Sequence, residues 1–206
     1  VPIEITRAAP ERFSDLSELL GRAFVNEPML RWSLGTHGDV AQRFIRYFEY
    51  FNETLARLGM LWEADAGRGA ALWIPGDADE AFTQAIDASR SSVHTLTSDG
   101  GQRYDAFWEW VDAKIPEGRL WNLDSVAVEP GSRGTGVGAA LITFGLDLAR
   151  AESSGACLET GSPKNVPYYE RLGFLVIDDA DAPHGGPHIW FLRWDPSVPR
   201  ETDRPR

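Results

Sequence analysis

Apolar and polar residues alternate along Ile3–Arg7, which predicts a short first strand. From Pro10-Glu11 the period changes. Phe13, Leu16, Leu20 and Phe24 recur at helical spacing, until Asn26-Glu27-Pro28 breaks the pattern. Phe44, Tyr47, Phe48 and Phe51 follow at i, i+3, i+4 and i+7. They predict a helix over Val40–Leu58, ended by Gly59, with the aromatic stripe read as core packing. Met60–Ala64 and Ala70–Ile74 read as two strands of a hairpin, turned at Asp65-Ala66-Gly67-Arg68-Gly69. Asp79–Leu96 and Tyr104–Lys114 are expected helices, and Ser98-Asp99-Gly100-Gly101 between them is expected to be a flexible loop. Leu120–Val128 reads as a long, partly buried strand. Val137–Glu152 reads as a strong helix, with Val137, Leu141, Phe144 and Leu148 on one face. Ala156–Thr160, a short helix Val166–Leu172, and strands Phe174–Ile177 and His188–Trp194 complete the series. Arg200–Arg206 is a polar tail, expected to fray.

Strands and helices mix along the whole chain, with no internal repeat and no Pro/Gly/Ser linker. One α/β domain over residues 1–198, built on a central mixed sheet, is the economical expectation, with 199–206 as a tail. With 206 residues the chain buries enough surface to need no staple. Its 31 acidic against 20 basic residues give a net charge of −11, which argues against a nucleic-acid partner. The charge is compatible with a cationic substrate. Cys157 is the single cysteine, so an intramolecular disulfide and a CxxC metal or redox motif are both excluded. The apolar run around Gly136–Leu146 is too short to span a membrane, and Val1–Glu4 lacks the pattern of a secretory leader. A cytoplasmic setting is expected.

The segment from Val126 to Gly138, Val-Ala-Val-Glu-Pro-Gly-Ser-Arg-Gly-Thr-Gly-Val-Gly, runs strand, turn, glycines, helix. Amides at a helix N-terminus point one way and bind phosphate oxygens. Glycines let a pyrophosphate reach the backbone, and Arg133 adds a cation. A dinucleotide loop is one reading, since Gly134–Ala139 can be forced into G-x-G-x-x-A. It lies deep in the chain, however, with no repeated mononucleotide-binding half. The Walker lysine is missing. A glycine-rich helix start that binds nothing is another reading. The third is a resemblance: Arg133-Gly134-Thr135-Gly136-Val137-Gly138 fits the Q/R-x-x-G-x-G/A signature of the GNAT N-acetyltransferase superfamily. That resemblance implies that the amides of Arg133, Gly134, Thr135, Gly136, Val137 and Gly138 hold the pyrophosphate of acetyl-CoA. It also implies that the strand edge at Val126, Ala127 and Val128 pairs with the pantetheine arm.

A second segment, Cys157–Phe174, resembles the same superfamily in its Leu-Glu-Thr strand, Asn165 loop, Tyr168-Tyr169-Glu170 helix and Leu172-Gly173-Phe174 turn. It is especially similar to the puromycin N-acetyltransferase-like members. The implied fold is a mixed, mostly antiparallel twisted sheet flanked by helices, with strands splayed at the acyl-CoA site. The implied reaction is direct attack of a primary amine on a thioester. Tyr169 matches the family tyrosine near the sulfur, and its ordinary pKa near 10 keeps it protonated as a general acid must be. Asn165 is expected to cap the short helix and contact CoA, and Tyr168 to wall the CoA site or pack in the core.

The base is open between Asp124 and Glu159, which sit on the strands the family splays. Either takes the amine proton or orients a cationic substrate. Their apolar neighbours Leu123 and Leu158 make a solvated position uncomfortable. His184 and His188 are four apart, but Gly185-Gly186-Pro187 prevents a helical metal pair, so no metal is expected. Trp62, Trp73, Trp121, Trp190 and Trp194 fall in strands and read as core. Tyr104, Phe107, Trp108 and Trp110 precede the CoA-binding strand, where the family walls its acceptor pocket. An aromatic wall with carboxylates suits a hydrophobic, positively charged small-molecule amine, aromatic or antibiotic-like. The competing class is a non-catalytic acyl-CoA-binding regulatory module. Either a monomer or a homodimer fits.

Overall fold

The computed structural model describes residues 2–78 and 80–197. Among these residues seven strands form one sheet: β1 (Ile5–Arg7), β2 (Leu61–Ala64), β3 (Gly69–Ile74), β4 (Leu120–Val128), β5 (Gly155–Thr160), β6 (Leu175–Asp181) and β7 (His188–Trp194). Their order is β1-β2-β3-β4-β5-β7-β6. Every neighbouring pair is antiparallel except β4 with β5, which run parallel. This is the mixed, mostly antiparallel α/β sheet that the resemblance implied. The helices are α1 (Phe13–Ala23), α2 (Pro28–Ser33), α3 (Val40–Arg57), α4 (Glu80–His94), α5 (Gln102–Asp112), α6 (Val137–Ala151) and α7 (Val166–Arg171).

Strand alternation distributes β3 between two cores. Leu72 joins Leu16, Leu20, Phe44, Phe48 and Leu55 on one face. Its neighbour Trp73 joins Leu141, Ile142, Leu146 and Trp194 on the other. Each such side chain, once fully buried, stabilises the fold by roughly 1.5–3 kcal/mol. The aromatic stripe of α3 is core, as its period predicted. It can pack closely because α1 offers Gly21 there: a Cβ on Gly21 would lie 2.5 Å from the Ile45 backbone.

Several details differ from the expectations. Pro28 does not only end α1; it starts α2 at the first helical turn, where its missing N–H costs nothing. Helix α6 buries Ile142, Leu146 and Ala149, while Phe144 and Leu148 are half-buried and Phe144 packs on Trp62 at 4.6 Å. Trp62 and Trp190 are likewise half-buried, whereas Trp73, Trp121 and Trp194 are core. Strand β6 continues past Ile177 to Asp181. Its acidic half carries no apolar alternation because both faces are exposed at the sheet edge. Expected as a flexible loop, Ser98–Gly101 is tied down: the Gly101 N–H donates to Thr97 Oγ1 at 2.7 Å, and Arg103 pairs with Asp99 at 2.7 Å. Asp79 and the polar tail 199–206 lie outside the described residues. Among those described, no helix is long and apolar enough to cross a membrane.

Candidate acetyl-transfer site

The site begins where two parallel strands part. β4 and β5 pair only at Leu120↔Gly155, Trp121↔Ala156 and Asn122↔Cys157. Beyond Asn122, β4 runs on to Val128 along β3 with no β5 partner, so the strand presents a free edge of main-chain donors and acceptors. A cavity of about 250 Å³ occupies the gap. Val126, Ala127 and Val128 line it from β4, Thr160 from β5, and Arg133, Asn165 and Tyr169 from beyond.

Past β4 the chain turns through Pro130–Ser132 into the glycine-rich loop. Gly134 and Gly136 have φ of +76° and +90°, a region that side-chain-bearing residues rarely adopt. Gly136 is the N-cap of α6 and offers no side-chain cap, so the first amides of that helix stay available to a ligand. At Gly138 the reason for glycine is different: a Cβ there would lie 3.0 Å from Tyr168 Oη. Arg133, Gly134, Gly136, Val137, Gly138 and Tyr168 line one open groove with Val128. The Thr135 side chain instead faces the β2–β3 turn. Its hydroxyl donates to the Ser132 carbonyl at 2.6 Å and accepts from Arg68 at 3.1 Å.

Asn165 departs from expectation. It precedes α7 but makes no side-chain cap, because its own backbone is already helical; its amide donates to Thr160 Oγ1 at 3.3 Å instead. Tyr169 is buried against Tyr168 and Phe174, and burial raises its pKa above the ordinary phenol value, so it holds its proton.

Asp124 and Glu159 face each other across the splay. Both are half-buried by surface area yet surrounded by protein, since what they expose opens only onto cavities. Burial raises Asp124 to about 6. Burial, with the charge of Asp124 beside it, raises Glu159 to about 8. Glu159 Oε2 has no hydrogen-bond partner, which suits a neutral carboxylic acid. A third carboxylate went unnoticed in the sequence. Glu27 caps α2 by accepting from the Leu30 N–H at 3.0 Å, while its Oε1 is buried without a partner. Burial raises its pKa to about 7, against the pull of the Leu30 amide. It lines the same cavity as Tyr169. The signal was there: an acceptor side chain directly before a proline is a helix start as well as a break.

On the other side of the splay lies a cavity of about 340 Å³. Tyr47 and Phe51 of α3, Phe82 and Ile86 of α4, and Tyr104 and Trp108 of α5 wall it. Of the four aromatics expected here, Phe107 and Trp110 are elsewhere. Helical periodicity puts Tyr104 and Trp108 on the cavity face. Phe107 packs instead with Met29 and Ile189, and Trp110 against Phe191 at 5.7 Å. Asp112 and Arg90 also line this cavity. The two cavities share two residues, Asp124 and Glu159. His188 lines neither; Asp181 and Asp179 hold it at 2.8 and 3.2 Å. Among the described residues no cluster of His, Cys, Asp or Glu is arranged to hold a metal.

Comparison with known proteins agrees with this anatomy. Residues 93–176 match the family described as Acetyltransferase (GNAT) domain. A curated relative, glucosamine 6-phosphate N-acetyltransferase of Trypanosoma brucei brucei, is 36% identical over 53 residues. That match covers 26% of this chain and about a third (36%) of the relative. Among solved structures, a histone acetyltransferase HPA2 and related acetyltransferase from Corynebacterium glutamicum superposes with TM-score 0.69 at 24% identity, covering 97% of this chain and 99% of that one. Arylalkylamine N-acetyltransferase 2 from Aedes aegypti gives 0.64 at 14%, covering 96% and 100%. The polyamine N-acetyltransferase of Drosophila melanogaster gives 0.56 at 13%, covering 94% and 100%. At such identities the neighbours speak for the fold. The matched segment contains both the glycine-rich loop and the Asn165–Tyr169 stretch, so the residues that carry the resemblance lie in a stretch similar to the GNAT acetyltransferase domain, whose members take acetyl-CoA as acyl donor.

Proposed function

We propose that this protein transfers the acetyl group of acetyl-CoA to the primary amine of a small, hydrophobic, positively charged molecule. The observation that carries the reading is that Asp124 and Glu159 line two cavities at once. One cavity adjoins the free β4 edge and the glycine-rich loop, and suits a thioester on a pantetheine arm. The other is walled by aromatics and suits the body of an amine. Its apolar walls favour an aromatic amine, a puromycin-type antibiotic included, over a polyhydroxylated aminoglycoside. Two structural neighbours act by name on arylalkylamines and polyamines.

In the reaction the amine nitrogen attacks the thioester carbonyl carbon; a C–N bond forms and the C–S bond breaks. The cationic amine first loses a proton. Burial raises both carboxylates, Glu159 further because the charge of Asp124 lies beside it, so near pH 7 the pair keeps one proton and one charge, with Asp124 the more acidic member. Asp124 therefore attracts the ammonium and takes its proton, directly or through water. Glu27, at about 7 on the thioester side, is the reserve acceptor. As the tetrahedral intermediate collapses, Tyr169, still protonated, donates to the departing thiolate, and the second proton given up by the nitrogen returns the tyrosine to its neutral form. We place the reaction in the cytoplasm.

The test is thiol release from acetyl-CoA across a panel of phenethylamine, puromycin, agmatine, an aminoglycoside and short peptides. Amine-dependent release, largest for the aromatic amines, is the expected result. Binding of acetyl-CoA with no release across the panel would instead support a regulatory acyl-CoA-binding module. That second reading leaves the buried carboxylates at the junction without a purpose.

A further inference from the structure

We infer that Arg68 is a positioning residue for the glycine-rich loop, fixing it in the shape that receives a pyrophosphate; the inference rests on the acetyl-CoA reading above. The loop's own hydrogen bonds are short-range, from the Ser132 N–H to the Glu129 carbonyl and from Thr135 to the Ser132 carbonyl, and none ties it to the rest of the sheet. Gly134 and Gly136 adopt positive φ, and α6 starts without a side-chain cap. Glycine loses more freedom on ordering than any other residue, so a loop of this composition is costly to fix.

Arg68, on the turn between β2 and β3, supplies the restraint. Its three guanidinium nitrogens take three separate partners. Nε donates to Ser132 Oγ at 3.1 Å, Nη2 to Thr135 Oγ1 at 3.1 Å, and Nη1 to Asp65 Oδ2 at 2.7 Å. Ser132 and Thr135 flank Gly134, and the Thr135 hydroxyl closes back on the Ser132 carbonyl. The Arg68 carbonyl accepts from the Glu129 N–H at 2.9 Å, just before the loop. Asp65 is itself pinned to the first strand's approach: the Glu4 N–H donates to its carboxylate at 2.8 Å, and its own N–H donates to the Glu4 carbonyl at 2.9 Å. The bracket thus runs from the sheet edge through one planar group to both sides of Gly134. Arg68 lines neither of the two cavities nor the loop groove, so it acts through the loop and not on the ligand. A lysine cannot reproduce a rigid fork with three fixed directions.

Calorimetry and steady-state kinetics on Arg68→Met, Arg68→Lys and the Ser132→Ala/Thr135→Val double variant test this. Arg68→Met should weaken acetyl-CoA binding by about tenfold or more, in the range of lost coupled contacts. Its kcat at saturating acetyl-CoA should stay within about twofold, because the junction chemistry is untouched. Turnover of acetyl-pantetheine, which lacks the pyrophosphate, should not change. Arg68→Lys should remain as weak as Arg68→Met. The double variant should show the same loss with Arg68 intact, and adding Arg68→Met to it should cost little more. Full recovery by lysine would overturn the inference in favour of simple charge. An equal loss with acetyl-pantetheine would overturn it in favour of general destabilisation. Wild-type protein that fails to bind acetyl-CoA would sink the acetyl-CoA reading itself, whereas wild-type binding matched by Arg68→Met would sink the bracket alone.

Discussion

The donor side and the acceptor side of the junction are built differently. The donor side takes its binding groups largely from one contiguous segment, β4, the glycine-rich loop and the start of α6, and those groups are main-chain, a free strand edge and exposed amides, while Glu27, Asn165 and Tyr169 add side chains from elsewhere. The acceptor cavity draws side chains from α3, α4, α5, β4 and β5, residues that span Tyr47 to Glu159. A backbone site tolerates change in side chains but not in conformation. A side-chain site is the reverse, since one substitution re-shapes the wall and leaves the frame standing. The first can serve one invariant ligand; the second can be re-specified.

Breaking the donor side should give the largest effect. Gly136→Asp places a side chain and a negative charge where φ is +90° and phosphate is expected, so acetyl-CoA affinity should fall more than about 100-fold by calorimetry. Next comes the junction. Asp124→Asn should lower kcat by about 10²–10³-fold with little change in acetyl-CoA affinity. In the wild type kcat/KM should rise as pH climbs through about 6, as Asp124 loses its proton, and that limb should vanish in the variant. On the acceptor side, Trp108→Ala should raise the amine KM by about tenfold through lost apolar contact, leaving acetyl-CoA binding alone. An equal effect on both substrates would erase the contrast between the two sides.

The smallest effect sharpens the junction itself. Glu159 has a native pKa raised from 4.5 to about 8, so the folded state holds its proton more tightly than the unfolded chain. Its stabilising contribution is full below about 4.5 and is lost as pH rises through 8. Glu159→Gln removes that loss. The variant should melt above wild type at pH 8.5, by about 2–4 °C for each kcal/mol recovered in a chain of this size. At pH 4 the two should coincide.

The donor side was legible in the sequence because its pattern is local. Strand, glycines and helix follow one another from Val126 to Gly138, and the resemblance rests on adjacent letters. Asp124 and Glu159, which line both cavities, could be singled out for the same reason, on the strands beside that pattern. What escaped was set by distant partners. Arg68 lies 64 residues from Ser132, and nothing near it announces the contact. Glu27 was hidden by Pro28, whose role as a breaker masked its role as a starter. Phe107 and Trp110 were placed in the acceptor wall because the choice between the two faces of α5 depends on β7, through Phe191. The acidic half of β6 could not be read as strand, since an edge exposed on both faces leaves no hydrophobic period.

Asp124 and Glu159 line both cavities, so on the proposed reading the two reactants would approach them from separate sides. Neither needs the other to leave first. Catalysis should pass through a ternary complex, with intersecting sequential kinetics and no acyl-enzyme stage. It follows that a single molecule bearing both halves, an aromatic amine tethered to the sulfur of CoA by an acetyl spacer, would thread the junction. It would gain the advantage of linked binding: once one half is seated, the effective concentration of the other reaches the millimolar range. On the proposed reading, the carboxylate pair shared by the two cavities is therefore a target for inhibition by such a linked molecule.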